Sequence, residues 1–302
     1  MDSSIRVVLR NATLHIPTRA RRDLRRDAPV LVFLHYFGGS GRSWASVMDL
    51  LARRRFCCLA PDLRGFGESV SAKNAERDFS VAQWRDDVLE LARFLGLSRF
   101  ALVGHSMGGK IALAVAARAP VGLEAVVLLA PSPPTPEPMP AKERARLLES
   151  YGDAAAAMET LRKITAGTLP KDRAAAAVND NLRTAPAAWR AWLKRGSRED
   201  ISAELAAVHV PVSIAVGAAD ETVTAALVQR EIVARLALST TVRTIARAGH
   251  LLPLDAPKAT ADFTERSVSG AGKPRDGRRD VCWGAQAASL QFPAACRKQS
   301  MT

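Results

Sequence analysis

Cysteine, aromatic residues and long apolar runs are all scarce in this chain, and each scarcity closes off a class of protein. Its 302 residues hold four cysteines. Cys57 and Cys58 are neighbours, and Cys282 and Cys296 stand near the end, so there is neither a disulfide framework nor the paired spacing of a zinc site. In a strand, adjacent side chains point to opposite faces, so Cys57 and Cys58 are expected as small buried hydrophobes. The five histidines are scattered with no pair at a metal-ligand interval, so no metal and no cofactor is expected. Aromatics make up 5% of the chain, which leaves the core to Ala, Val and Leu. No run approaches the roughly 18 apolar residues of a membrane span. Residues 1–17 also lack the apolar stretch of an export leader, so a soluble, cytoplasmic protein is expected.

Acidic residues are short as well: 30 Asp and Glu against 43 Lys and Arg give a net charge of +13. Such an excess serves nucleic acid or anionic membranes when it is clustered. Here arginine is spread along the chain. The densest group, Arg19, Arg21, Arg22, Arg25 and Arg26, is broken by Asp23 and Asp27 and has no aromatic partners. It reads as a solvated loop, and neither nucleic acid nor membrane is expected as a partner. No pattern specifies an oligomeric state.

What is present is an alternation. Apolar runs at 29–34, 57–60, 100–103, 125–130 and 212–216, with a more mixed one at 241–245, suit a parallel sheet buried on both faces. Helical patterns at 81–95 and 110–119 lie between them, and 5–9 with 13–16 reads as an opening antiparallel pair. The fold class is therefore α/β. Prolines at 131, 133, 134 and 136 end the alternation. Ala-rich helical segments follow at 142–148, 154–164, 172–181 and 187–194. The expected organisation is a core over 1–131, a helical insertion over 132–205, the rest of the core over 206–266, and a loose tail over 267–302.

The most informative segment is Gly104-His105-Ser106-Met107-Gly108, between an apolar strand and a helix. A serine hydroxyl needs a sharp turn to lift it off the sheet beside a base, and small flanking residues let that turn close. Asp220 and His250 each follow a strand-like run downstream. Together the three supply a nucleophile, a base and a carboxylate to orient the base. Gly104 to Lys110 also fits most of a phosphate-binding loop, but Ile111 stands where Ser or Thr would ligand magnesium. That reading fails, and Lys110 is expected in solvent. His105 is expected to pack in the turn, His35 to support a nearby loop and Asp62 to brace a turn, while His15 and His209 carry no signal.

These segments, with Leu34-His35-Tyr36-Phe37-Gly38-Gly39-Ser40, the run Pro61-Asp62-Leu63-Arg64-Gly65-Phe66-Gly67-Glu68-Ser69, Val216-Gly217-Ala218-Ala219-Asp220 and Gly249-His250, resemble the α/β-hydrolase family over residues 30–266. The branch resembled is that of small, cap-bearing, serine-dependent esterases, lactonases and cofactor-free haloperoxidases. The resemblance implies an α/β-hydrolase fold with a mostly parallel sheet and an inserted helical cap. It implies catalysis by Ser106, Asp220 and His250, with the backbone N–H groups of Phe37 and Met107 as the oxyanion hole. Many relatives have Gly where this chain has Tyr36, so a different loop path or a narrower pocket mouth is expected there. Tyr36, Trp44, Met139, Met158, Leu161, Trp189 and Trp192 are the candidate pocket residues, and they imply a small-molecule substrate with an apolar acyl or alkyl group. The implied activity is hydrolysis of small carboxylic esters, lactones or thioesters through an acyl-enzyme. Perhydrolysis or haloperoxidase-like chemistry on the same triad, or ligand sensing on the same fold, are the alternatives.

Overall fold

Buried strands of Val, Leu and Ala make up the centre of the protein, a computed structural model of which describes residues 3–20, 30–72 and 79–271. Arg21, Arg22, Arg25, Arg26, Cys282 and Cys296 lie outside the described residues. The strands are β1 (Ser3–Val8), β2 (Ala12–Arg19), β3 (Val30–Leu34), β4 (Cys57–Leu59), β5 (Val70–Ser71), β6 (Phe100–His105), β7 (Leu123–Leu129), β8 (Val212–Gly217) and β9 (Val242–Ile245). They form one sheet in the order β1-β2-β4-β3-β6-β7-β8-β9, with β5 on β2. The pairs from β4 through β9 are parallel, while β2 runs antiparallel to β1, β4 and β5. Every residue of β3 and β6 is buried, as expected of parallel strands covered on both faces. Cys57 and Cys58 are buried free thiols.

Helices cover the sheet, and their starts are written in the sequence. Ser80 caps α2 (Val81–Phe94) by accepting from the Gln83 N–H, and Thr224 caps α8 (Ala225–Glu231) through the Leu227 N–H. The remaining core helices are α1 (Ala45–Arg53), α3 (Met107–Ala116), α9 (Leu252–Asp255) and α10 (Pro257–Ala271). Since α10 runs through Ala271, the first residues of the expected loose tail are helical. Thr260 and Thr264 are fully buried on this helix, and that buried face extends it beyond the segment's weak apolar periodicity. Among the described residues no helix is long and apolar enough to cross a membrane.

Between β7 and β8 the chain leaves the sheet to form α4 (Ala141–Glu149), α5 (Ala154–Ile164), α6 (Lys171–Leu182) and α7 (Pro186–Lys194). Asp153 caps α5 with two N–H acceptances, and Pro186 opens α7, where its missing donor costs nothing. Polar ties fasten these helices to the core. Asp180 takes the Ser40 hydroxyl at 2.7 Å and the Arg42 guanidinium, and the Ala185 N–H donates to Gly65 O at 2.8 Å. Trp189 is buried and donates its indole N–H to Leu147 O at 2.9 Å, which joins α7 to α4.

Candidate active site

Strand β6 ends directly on Ser106, which adopts φ 51°, ψ −117° before α3 begins. Non-glycine residues avoid this region, at a cost of order 1–3 kcal/mol, and keep to it only where the surroundings enforce it. The enforcement is visible in the two flanking glycines. A Cβ on Gly104 would lie 2.5 Å from Gly108 O, and one on Gly108 would lie 2.3 Å from Leu34 O. The Ser106 carbonyl is also held by N–H donors from Gly109 and Ser132 at 2.8 and 3.0 Å.

The downstream residues converge on this serine. His250 Nε2 lies 2.9 Å from Ser106 Oγ, and His250 Nδ1 lies 2.9 Å from Asp220 Oδ2. Asp220 Oδ1 accepts from the Thr222 and Val223 N–H groups at 2.8 and 2.9 Å. Burial pushes the Asp220 carboxyl up, but the hydrogen bond and charge of His250, with these two donors, outweigh it and hold it below the ordinary aspartate value. It therefore stays ionised beside the ring, the state that fixes an imidazole with its other nitrogen free to accept a proton.

The loop carrying His250 is pinned through its main chain on two sides. Its N–H donates to Ile164 O at the end of α5, at 2.8 Å, and its carbonyl accepts from His105 Nε2 at 2.8 Å. Asp255 Oδ2 takes the N–H groups of both Gly249 and Ala166, tying the loop again to the inserted helices. Burial, helped by the neighbouring His250, pushes the His105 ring down to about 3. It is thus a neutral donor, as packing in the turn requires.

The loop after β3 faces Ser106 from the other side. His35 donates from Nδ1 to Tyr36 O and accepts the Leu63 N–H at Nε2, which fixes its tautomer. Tyr36, where the family resemblance implied a different loop path, has an ordinary negative φ; the left-handed position in this loop is Gly38, at φ 78°. The Tyr36 ring is buried against His105, with centroids 5.3 Å apart. Among the described residues, neither the Phe37 nor the Met107 backbone N–H has a hydrogen-bond acceptor.

Ser106 and His250 open on a cavity of about 410 Å³ whose wall includes Tyr36, Phe37, Met139, Leu161, Trp189 and Trp192. Two expected pocket residues are not part of that wall. Trp44 is fully buried, with its ring 5.0 Å from Phe33 and 6.0 Å from His105; chain proximity to the loop put it beneath the site rather than in it. Met158 packs in a small cluster with Tyr36, Leu161, Ala177 and Leu251. Lys110 is also corrected. It is fully buried, and its ammonium donates to Thr135 O and Glu199 O, because α3 is enclosed on all sides.

Ser132, Glu137 and the partnership of Asp62 with His15 went unread in the sequence. Asp62 accepts the Gly41 and Glu68 N–H groups as expected, but it also pairs with His15 across the fold, at 3.0 Å. Ser132 and Glu137 line the cavity. The signal that could have found them is an acid set in the proline-rich segment directly after β7, where the chain must pass over the ends of the strands.

A family model for the alpha/beta hydrolase fold matches residues 29–204, and the chain belongs to that family. It is 37% identical over 95 residues to the magnesium-chelatase 30 kDa subunit of Rhodobacter capsulatus, covering 32% of each chain. It spans about a third of the length of the curated relatives it matches. Among solved structures it resembles an esterase from Exiguobacterium antarcticum, with TM-score 0.77 and 17% identity over 89% of this chain and 100% of that one. It also resembles the enol-lactonase of Burkholderia xenovorans LB400, with TM-score 0.74 and 22% identity over 88% of this chain and 100% of that one. At these identities the structural likeness concerns the fold.

Proposed function

We propose that the protein is a serine hydrolase that cleaves small carboxylic esters, including cyclic or thio-esters, through an acyl-enzyme. The observation that carries this reading is the unbroken chain Asp220–His250–Ser106, with both links at 2.9 Å, opening on a cavity of small-ligand size. In the proposed reaction Ser106 Oγ attacks the carbonyl carbon while His250 Nε2 takes its proton and Asp220 stabilises the imidazolium. The Phe37 and Met107 N–H groups receive the developing oxyanion; their lack of an internal acceptor supports that role. His250 then protonates the leaving alcohol. Water, deprotonated by the same ring, attacks the acyl carbon and releases acid and free serine. No cofactor enters this sequence.

Helices α4 to α7 act in this reading as the cap, since α5, α6 and α7 contribute Leu161, Val178 and Trp189 to the cavity wall. These side chains favour an apolar acyl or alkyl group. A cytoplasmic setting is supported by the buried, unpaired thiols of Cys57 and Cys58. The test is labelling by a fluorophosphonate probe, then turnover of nitrophenyl esters of increasing acyl length, each with Ser106→Ala beside it. Labelling and turnover that both vanish in the variant are expected. A wild-type protein that takes the label and turns over none of the esters would overturn the hydrolase reading in favour of ligand sensing.

A further inference from the structure

Among the described residues, the cavity wall carries one partly buried carboxyl with no ion-pair partner. Glu143 also lines the cavity, but Arg146 clamps both its oxygens at 2.8 and 2.9 Å, with Lys163 3.8 Å away. Asp220 is committed to His250, and Glu221 is exposed. Glu137 differs from all of these. It is partly buried on the wall, its main chain is fixed by donation to Ser197 O and by acceptance from the Met139 N–H, and its hydrogen-bonding neighbour is the Ser132 hydroxyl.

The basic side chains whose fields reach Glu137 give their hydrogen bonds to other oxygens. Lys110 donates to Thr135 O and Glu199 O, and Arg144 donates to Leu193 O and Ser197 Oγ. Among the described residues Glu137 forms no ion pair. Burial accordingly raises its carboxyl, against the Ser132 hydrogen bond and the fields of Lys110, His250 and Arg144. Those fields only partly offset the cost of drawing the carboxylate out of water, and a cation in direct contact with it offsets more of that cost. The same cavity wall also carries three neighbouring aromatic rings, Phe37 tilted against Trp189 with centroids 4.4 Å apart and stacked with Trp192 at 6.2 Å. Aromatic rings are the other surface that attracts a desolvated cation.

We propose that Glu137 and the rings of Phe37, Trp189 and Trp192 form a subsite for a cationic group, so that the preferred substrates are small esters bearing an ammonium. This rests on the hydrolase reading for its chemistry, and on the cavity alone for its binding.

Two matched measurements test it. The first compares kcat/KM for nitrophenyl 4-(trimethylammonio)butanoate with that for its neutral isostere, nitrophenyl 5,5-dimethylhexanoate. Wild-type protein should favour the cation by about tenfold or more. Glu137→Gln should bring the ratio near one, and Glu137→Asp should keep part of it. Equal ratios in wild type and Glu137→Gln would overturn the subsite even if ester turnover is fast. The second reads binding of benzyltrimethylammonium to Ser106→Ala by calorimetry, which needs no turnover. Binding that weakens about tenfold on adding Glu137→Gln supports the subsite even if no ester is cleaved; binding indifferent to Glu137 overturns it. Fluorophosphonate labelling of Glu137→Gln reports that the variant has folded with its serine in place, and if it has not, the Glu137→Asp ratio decides.

Discussion

Among the described residues, two buried histidine–aspartate pairs have nearly the same geometry, and only one of them meets a hydroxyl. His250 Nδ1 is 2.9 Å from Asp220 Oδ2, and His15 Nδ1 is 3.0 Å from Asp62 Oδ2. Each aspartate also accepts two backbone N–H groups: Thr222 and Val223 for the first, Gly41 and Glu68 for the second. In both, burial raises the carboxyl and hydrogen bonding more than reverses it. The pairs part at the second ring nitrogen. His250 Nε2 reaches Ser106 Oγ, whereas His15 Nε2 faces a second carboxylate, Glu68 Oε2, at 3.9 Å. A ring between two carboxylates braces β2 against the following turn. A ring between a carboxylate and a hydroxyl on a strained elbow has somewhere to move a proton. A buried histidine–aspartate pair therefore marks structure; the elbow and the cavity mark chemistry.

The largest expected effect removes what the two pairs do not share. Ser106→Ala should lower ester kcat by up to about a millionfold, since members of a triad act as one unit, and leave the melting temperature near wild type. Steady-state kinetics beside a thermal melt checks both halves, and a variant with substantial turnover would place the chemistry elsewhere. Next in size, Asp220→Asn should cost about 10⁴ in kcat by allowing the wrong imidazole tautomer. Asp62→Asn, the same change in the other pair, should leave kcat within about tenfold while costing about 2–4 kcal/mol of stability in urea melts, because three donors lose a charged acceptor. A comparable loss of kcat at both positions would erase the distinction.

The contrast also explains what the sequence could reveal. Ser106, Asp220 and His250 were legible because each sits at a strand end, and in a parallel sheet strand ends gather at one edge. The elbow added local evidence in Gly104 and Gly108, whose backbone contacts exclude any Cβ. His15 and Asp62 were not legible as a pair. Their meeting depends on β2 running antiparallel to β4 and β5, a pairing that neither residue signals. Lys110 and Trp44 were misplaced for a related reason: chain position puts both near the site, while burial of α3 and of the segment after Gly41 is a property of the assembled layers. Glu137 escaped because proline-rich segments carry no periodicity from which a facing direction can be read.

The smallest expected effect concerns the two histidines that brace the site. His35 and His105 are both pushed down by burial, His105 to about 3, while an unfolded chain binds a proton on histidine near pH 6.5. Below that pH the unfolded state takes up protons that these rings refuse in the fold. Their contribution to stability is thus complete above about pH 6.5 and declines as the pH falls toward their folded values, by up to about 1.4 kcal/mol per pH unit for each ring. Urea melts at pH 7.5 and 5.5 should show wild type losing stability over this interval. Whatever its stability at pH 7.5, His105→Gln should lose about 1 kcal/mol less over the same interval, since it removes a ring that the unfolded chain alone protonates, and His35→Gln should also lose less than wild type. A pH slope that neither substitution reduces would mean that these rings take up protons in the folded protein. In that case the donation from His105 to the His250 carbonyl could not depend on a neutral ring, and the loop bearing His250 would need another anchor.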